Sequence, residues 1–132
     1  MKRIFKVLWL PTFLFILSSS RVGIYLYSNY EHFDTLMHGA GGIAIAYMFL
    51  TMQRAYKLSW WQPIPRLWKI IFILSFVALF GIAWEWYEFL LDQAYGTHHQ
   101  PSLADTMYDL LLDLLGASLL CLAKFRSLTN RK

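Results

Sequence analysis

The sequence predicts an all-α protein, a four-helix transmembrane bundle, forming a single integral membrane domain over residues 1–132 with both termini cytoplasmic. Three observations carry that expectation. The chain is 58% hydrophobic and only 15% charged, where a soluble domain carries about 25% charged residues. The apolar residues gather in four runs of roughly the 20 residues that a spanning helix needs. The bases lie at alternate ends of those runs, as the positive-inside rule requires of a multi-span protein.

The first run extends from about Val7 to Tyr27, with Pro11 near its start. A basic stretch (Lys2, Arg3, Lys6) before it and small residues (Ser18, Ser19, Ser20) within it also fit a cleaved signal peptide. Against that, the apolar stretch resumes from Val22 to Tyr27 and no A-x-A site is present, so a spanning helix is expected. The second run covers about Phe33 to Met52, the third Trp68 to Asp92, and the fourth Ala104 to Phe125. The connection between the second and third holds Trp60, Trp61, Pro63 and Pro65, with Trp68 just beyond, which suits an interfacial loop. A short link, Tyr95 to Ser102, joins the third to the fourth.

With the N-terminus inside, the cytoplasmic side receives Lys2, Arg3, Lys6, Arg54, Lys57, Arg66, Lys69, Lys124, Arg126, Arg131 and Lys132. Those are eleven of the twelve bases, and Arg21 is the exception. All eight acids (Glu31, Asp34, Glu85, Glu88, Asp92, Asp105, Asp109, Asp113) then fall in the outer half or outer loops. So do His32, His38, His98 and His99. The net charge of +4 does not imply nucleic acid, because the bases flank apolar runs and form no basic domain. The lone Cys121 allows no intrachain disulfide and reads as a small apolar filler.

Helical rise converts position into depth. His38 lies sixteen residues from Arg54, Glu85 sixteen from Lys69, Asp109 fifteen from Lys124 and Arg21 fifteen from Lys6. All four then sit about 22–24 Å from the inner edge of a core roughly 30 Å thick. Asp34, Glu88 and Asp105 form a layer above, and Asp113 lies below. Spacings of three and four place Asp34 with His38, Glu85 with Glu88 and Asp92, and Asp105 with Asp109 and Asp113, each set on one face. The same faces carry Gly42, Ala46, Ala78, Gly81, Gly116 and Ala117. Small residues let helices approach closely, so the polar stripes are expected to face one another.

An unpaired charge at bilayer depth costs about 2.5–3.5 kcal/mol on insertion scales. Arg21 is expected to offset one carboxylate as a counter-charge, and His38 part of another. The rest must be protonated, watered or held by a cation, which favours a functional site. Structural alternatives stand beside this. Asp34 fits a helix cap, and Ser102 to Asp105 fits a capping box. Asp92, Glu31 and His32 fit solvated positions, and His98 with His99 an exposed pair. Interhelical hydrogen bonding alone is the competing account of the deep residues.

One imidazole among carboxylates suits a divalent ion, Mg, Mn, Fe or Zn, with the oxygen-rich set leaning to the harder ions. The expected metal ligands are His38, Glu85, Glu88, Asp109 and Asp113, with Glu85, Glu88 and Asp109 as catalytic candidates. Arg21, Asp34 and Asp105 complete the polar site. A cation there can activate water against a lipid-linked ester or phosphate, with Glu85 or Glu88 as base. No Gly-x-Ser-x-Gly, H-E-x-x-H or phosphate-cradling glycine loop is present. Three readings therefore stay open: an enzyme on a lipid or lipid-linked envelope substrate, a proton- or cation-coupled carrier component, and a non-catalytic interaction protein. The lipid bilayer is the one partner the composition requires; the sequence sets no oligomeric state.

Three motifs, "FDTLMH" (Phe33 to His38), "EWYE" (Glu85 to Glu88) and "DTMYDLLLDLLGA" (Asp105 to Ala117), resemble those of the YjdF-type family of uncharacterised bacterial inner-membrane proteins. The resemblance covers about Phe33 to Ala117. It implies that Asp34, His38, Glu85, Glu88, Asp105, Asp109, Gly116 and Ala117 belong to a shared polar core in the inner membrane, and it names no reaction. A more distant similarity joins Asp109 to Gly116 with the Asp-x-x-x-Asn-x-x-Gly of VanZ-like proteins, which are linked to glycopeptide resistance. Here Asp113 replaces the amide and the preceding arginine is missing.

Overall fold

The computed structural model describes residues 2–30 and 32–128. Glu31, Arg131, Lys132 and the side chain of Arg126, all counted in the charge pattern above, lie outside the described residues. Among the described residues every regular element is helical. These are α1 (Lys2–Ser19), α2 (Arg21–Asn29), α3 (Phe33–Ala55), α4 (Arg66–Tyr95) and α5 (Leu103–Ala123), with 3-10 turns at Ser59–Trp61 and Phe125–Leu128. The all-α expectation holds, and the ranges of α3, α4 and α5 fall within three residues of the expected ones.

α3, α4 and α5 are each long and apolar enough to cross a membrane. α1 and α2 pass that test only as a pair bent by 67°. The continuous helix expected from Val7 to Tyr27 is therefore corrected to two helices meeting at Ser20. The Ser20 hydroxyl donates to the Leu17 carbonyl at 2.7 Å and accepts from the Gly23 N–H at 3.1 Å. One side chain thus closes α1 and caps α2, offering the backbone an alternative to a continuous helix. Gly23 lies so close to the Leu17 carbonyl that a Cβ has no room there. Pro11, the more obvious breaker, is accommodated inside α1.

α3 is central. α5 packs along it, α4 touches both, and α1 leans on α3 while scarcely meeting α4. Two glycines set the α3–α5 approach. A Cβ on Gly42 collides with the Asp113 backbone, and one on Gly116 with the Gly39 carbonyl. This is the small-residue packing that the sequence pattern implied, with dispersion in place of the hydrophobic effect that lipid removes.

Going toward the basic end of these helices the core becomes apolar: Ala46, Phe49, Ile73, Val77, Ala117 and Cys121 are buried together. Trp61 joins them, 6% exposed, its ring 5.3 Å from Phe49. The connecting loop is thus partly core, and the interfacial role expected for its tryptophans is left to the exposed Trp60 and Trp68. Lys69, also buried, donates to the carbonyls of Gln62 and Leu128, each at 3.4 Å. It ties the loop and the C-terminal turn to α4.

Candidate metal centre

The acidic end is built by three helices. α3 carries Asp34 and His38 one turn apart, α4 carries Glu85 and Glu88, and α5 carries Asp109 and Asp113. His38, Glu85, Asp109 and Asp113 are 6, 6, 5 and 7% exposed. The expected convergence is present. His38 Nε2 lies 3.7 Å from Asp34 Oδ1 and 3.9 Å from Asp109 Oδ1. Its other nitrogen, Nδ1, lies 3.6 Å from Asp113 Oδ1. The imidazole therefore has carboxylates on both edges, and Asp113 occupies the edge opposite Asp34 and Asp109.

Glycines shape the floor beneath it. A Cβ on Gly81 would stand 2.6 Å from Asp113 Oδ2, and one on Gly41 3.6 Å from Oδ1. The bare backbones leave the Asp113 carboxylate room to lie between α3 and α4.

Two overlapping ligand sets share His38. In Asp34–His38–Asp109, and again in His38–Glu85–Glu88, one ligand atom from each residue lies within 4.8 Å of the others. A buried Asp/His cluster that could hold a metal ion is thus in place. The orphan in it is Glu85. Its Oε2 accepts from Gln100 Nε2 at 2.6 Å, while Oε1 is buried without a close hydrogen bond among the described residues, the Thr106 hydroxyl being the other side-chain donor at this carboxylate. Glu88 Oε1 accepts from the Trp84 indole N–H at 2.9 Å. Among the described residues no lysine or arginine lies within ion-pair distance of these carboxylates.

The link after α4 folds over this end for a clear local reason. Gly96 caps α4 in the left-handed region at φ 64°, which glycine adopts without cost. Asp92 then accepts from the Thr97 hydroxyl at 2.6 Å, the His99 N–H at 2.9 Å and the Gln100 N–H at 3.0 Å. Those bonds aim the Gln100 side chain at Glu85, where it also donates to the main-chain carbonyl at 2.9 Å. Gln100 is the site residue that sequence reasoning missed. Its position before Pro101, in a link too short to wander, is the only signal that could have marked it.

Several sequence candidates land elsewhere. Arg21 is exposed at the start of α2 and pairs with none of the acids among the described residues, so the expected counter-charge is not formed. The reason is the break at Ser20, which redirects α2. Asp105 serves the N-terminus of α5, where Ser102 Oγ accepts its N–H at 3.1 Å. Asp34, by contrast, stays in the site and is not a helix cap, because the N-cap of α3 is His32 with no side-chain cap bond. Asp92 keeps the solvent access expected of it and also organises the loop. His98 and His99 are exposed and enter neither ligand set.

Such a polar centre, walled by spanning helices, defines an integral membrane protein of the bundle type. Residues 3–130 match the family model described as "Predicted membrane protein (DUF2238)", and the chain belongs to that family. It is 30% identical over 106 residues to an uncharacterised protein of Thermotoga maritima, a match covering 80% of this chain and 54% of that protein. The chain thus spans about half the length of the curated relative it matches. No solved structure matches it.

Proposed function

We propose that this protein binds one divalent cation within the bilayer and uses it on a lipid or lipid-linked envelope molecule. The observation that carries the reading is the convergence of Glu85 and Glu88 on His38, with Glu85 Oε1 buried and without a close hydrogen bond among the described residues. An unpaired buried charge costs several kcal/mol unless it is neutralised, and a cation neutralises several carboxylates at once.

The donor set fits the ion. His38 supplies one nitrogen, and hard oxygens come from Asp34 and Asp109 in one set and from Glu85 and Glu88 in the other, which suits Mg, Mn, Fe or Zn. Asp113, on the Nδ1 edge at 3.6 Å, fits the carboxylate that orients a ligating histidine, so we assign it that part in place of direct ligation. Gln100 does the same for Glu85. A cation held there would supply Lewis acidity toward an ester or phosphate oxygen. Glu88, half-buried and tied to Trp84, is the carboxylate placed to take a proton from water. The basic connections support a reading in which both termini are cytoplasmic in an inner membrane, with the centre in the extracytoplasmic half. The YjdF-type likeness of the motifs agrees with that location.

A carrier needs a polar route through the remaining half of the bundle. Below Asp113 the packed residues are Ala46, Ile73, Val77 and Ala117, each 0–1% exposed, which favours a closed site. The test is metal analysis of the purified full chain beside Glu85→Gln and Asp109→Asn. Near-stoichiometric divalent metal in the wild type and loss in both variants supports the reading. Trace metal in all three removes it.

A further inference from the structure

The polar cluster does not end in packed protein on every side. Against His38 and Asp113 opens a half-enclosed cleft of about 250 Å³. Apart from those two residues its walls are almost wholly apolar: Leu14 and Phe15 from α1, Ile45 from α3, Val77 and Phe80 from α4. An apolar cavity of about 150 Å³ already stays dry and takes up a benzene-sized guest. Water is therefore a poor occupant here.

The cleft exists because α1 leans on α3 and scarcely meets α4. Phe15 and Trp84 bridge the gap, edge to face with ring centroids 6.1 Å apart. α4 is long and apolar enough to span, and α1 passes that test only with α2 as a bent pair, so membrane lipid is the medium against which such a gap would open. The occupant that matches an apolar cleft entered from lipid and closed by a polar end is a hydrocarbon chain carrying a polar head. Trp84 joins the two parts, since its ring faces Phe15 and its N–H donates to Glu88.

We infer that the cleft between α1 and α4 binds one acyl chain of a membrane lipid, entering past Phe15 and Trp84 with its head toward His38 and Asp113. The inference deepens the proposed function, and rests on it only for what the head group meets at the polar end.

The experiment uses the full chain in phospholipid vesicles containing a lipid with a photoactivatable diazirine in its acyl chain. Cross-linked residues are mapped by mass spectrometry. Leu14, Ile45 and Phe80 are expected to label more heavily than Leu111 and Leu119, which lie exposed on α5. Filling the cleft with Leu14→Trp or Ile45→Trp is expected to cut label on Phe80 about tenfold, equivalent to ~1.4 kcal/mol of lost binding, while Leu119 label holds. Equal labelling of cleft and α5 overturns the inference, as does indifference to both tryptophans or cross-linking of two copies through Leu14. If neither variant folds, the wild-type ratio of cleft to α5 label decides alone. Mn²⁺ titration of the same samples separates the two claims. Cleft labelling without Mn²⁺ binding leaves the chain site and removes the cation, and the opposite result removes only the chain site.

Discussion

The two ends of α3, α4 and α5 both bury side chains and are chemically opposite. At the basic end Ile73, Val77, Phe49 and Trp61 interlock, and the buried cation Lys69 donates to two carbonyls and faces the Trp61 ring at 5.6 Å. At the acidic end an imidazole and carboxylates from three helices crowd together, with Glu85 Oε1 left over. The basic end has its own loose thread, since both amide atoms of buried Gln53 lack partners among the described residues. A lone neutral amide, however, attracts a cation far less than clustered carboxylates do. The difference teaches a division of labour: one end supplies packing, and the other holds an electrostatic deficit that a ligand can fill.

Substitutions at the two ends should therefore fail in different ways. The largest effect is expected from Gly42→Leu, which drives a side chain into the Asp113 backbone and parts α3 from α5. Overpacking of this kind costs about 3 kcal/mol, and little folded protein should survive size exclusion in detergent. Next comes His38→Gln, which removes the residue common to both ligand sets. Mn²⁺ affinity should fall by about 100-fold, at or beyond the upper range for loss of a supporting residue, with a near-normal unfolding midpoint. Because carboxylates and imidazole must shed protons to bind metal, wild-type affinity should rise with pH, and calorimetric titration at several pH values checks the sign.

Gln100→Ala should act more mildly. It frees Glu85 Oε2 while leaving the helices in place, and Mn²⁺ affinity is expected to drop about tenfold. The smallest effect belongs to Lys69→Met at the opposite end. Loss of its two long hydrogen bonds should cost about 1 kcal/mol in chemical unfolding and leave Mn²⁺ affinity unchanged. A change in affinity there would mean that the two ends are coupled and the division of labour is wrong.

Much of this was legible before any coordinates. Helical spacing alone placed Asp34 with His38 and Asp109 with Asp113, and counting from the inner bases put His38, Glu85 and Asp109 at one level. Both succeed because a spanning helix has a fixed rise and its polar residues must turn inward. The break at Ser20 was not legible. Hydropathy measures how apolar a run is, and a 67° bend made by one serine hydroxyl leaves that sum untouched. The break also bears on Arg21, which begins α2 with its side chain exposed instead of continuing α1. Gln100 escaped for a different reason, because its position depends on three bonds to Asp92 across a loop with no periodicity to read. Trp61 looked interfacial by type and is core by packing.

The most direct test is electron spin-echo spectroscopy of the Mn²⁺-loaded full chain, read for nitrogen coupled to the ion. Histidine nitrogen at the metal is expected in the wild type, retained in a variant with His32, His98 and His99 replaced by Gln, and abolished by His38→Gln. A bound Mn²⁺ with no nitrogen coupling, or coupling that survives loss of His38, contradicts a centre built on that imidazole.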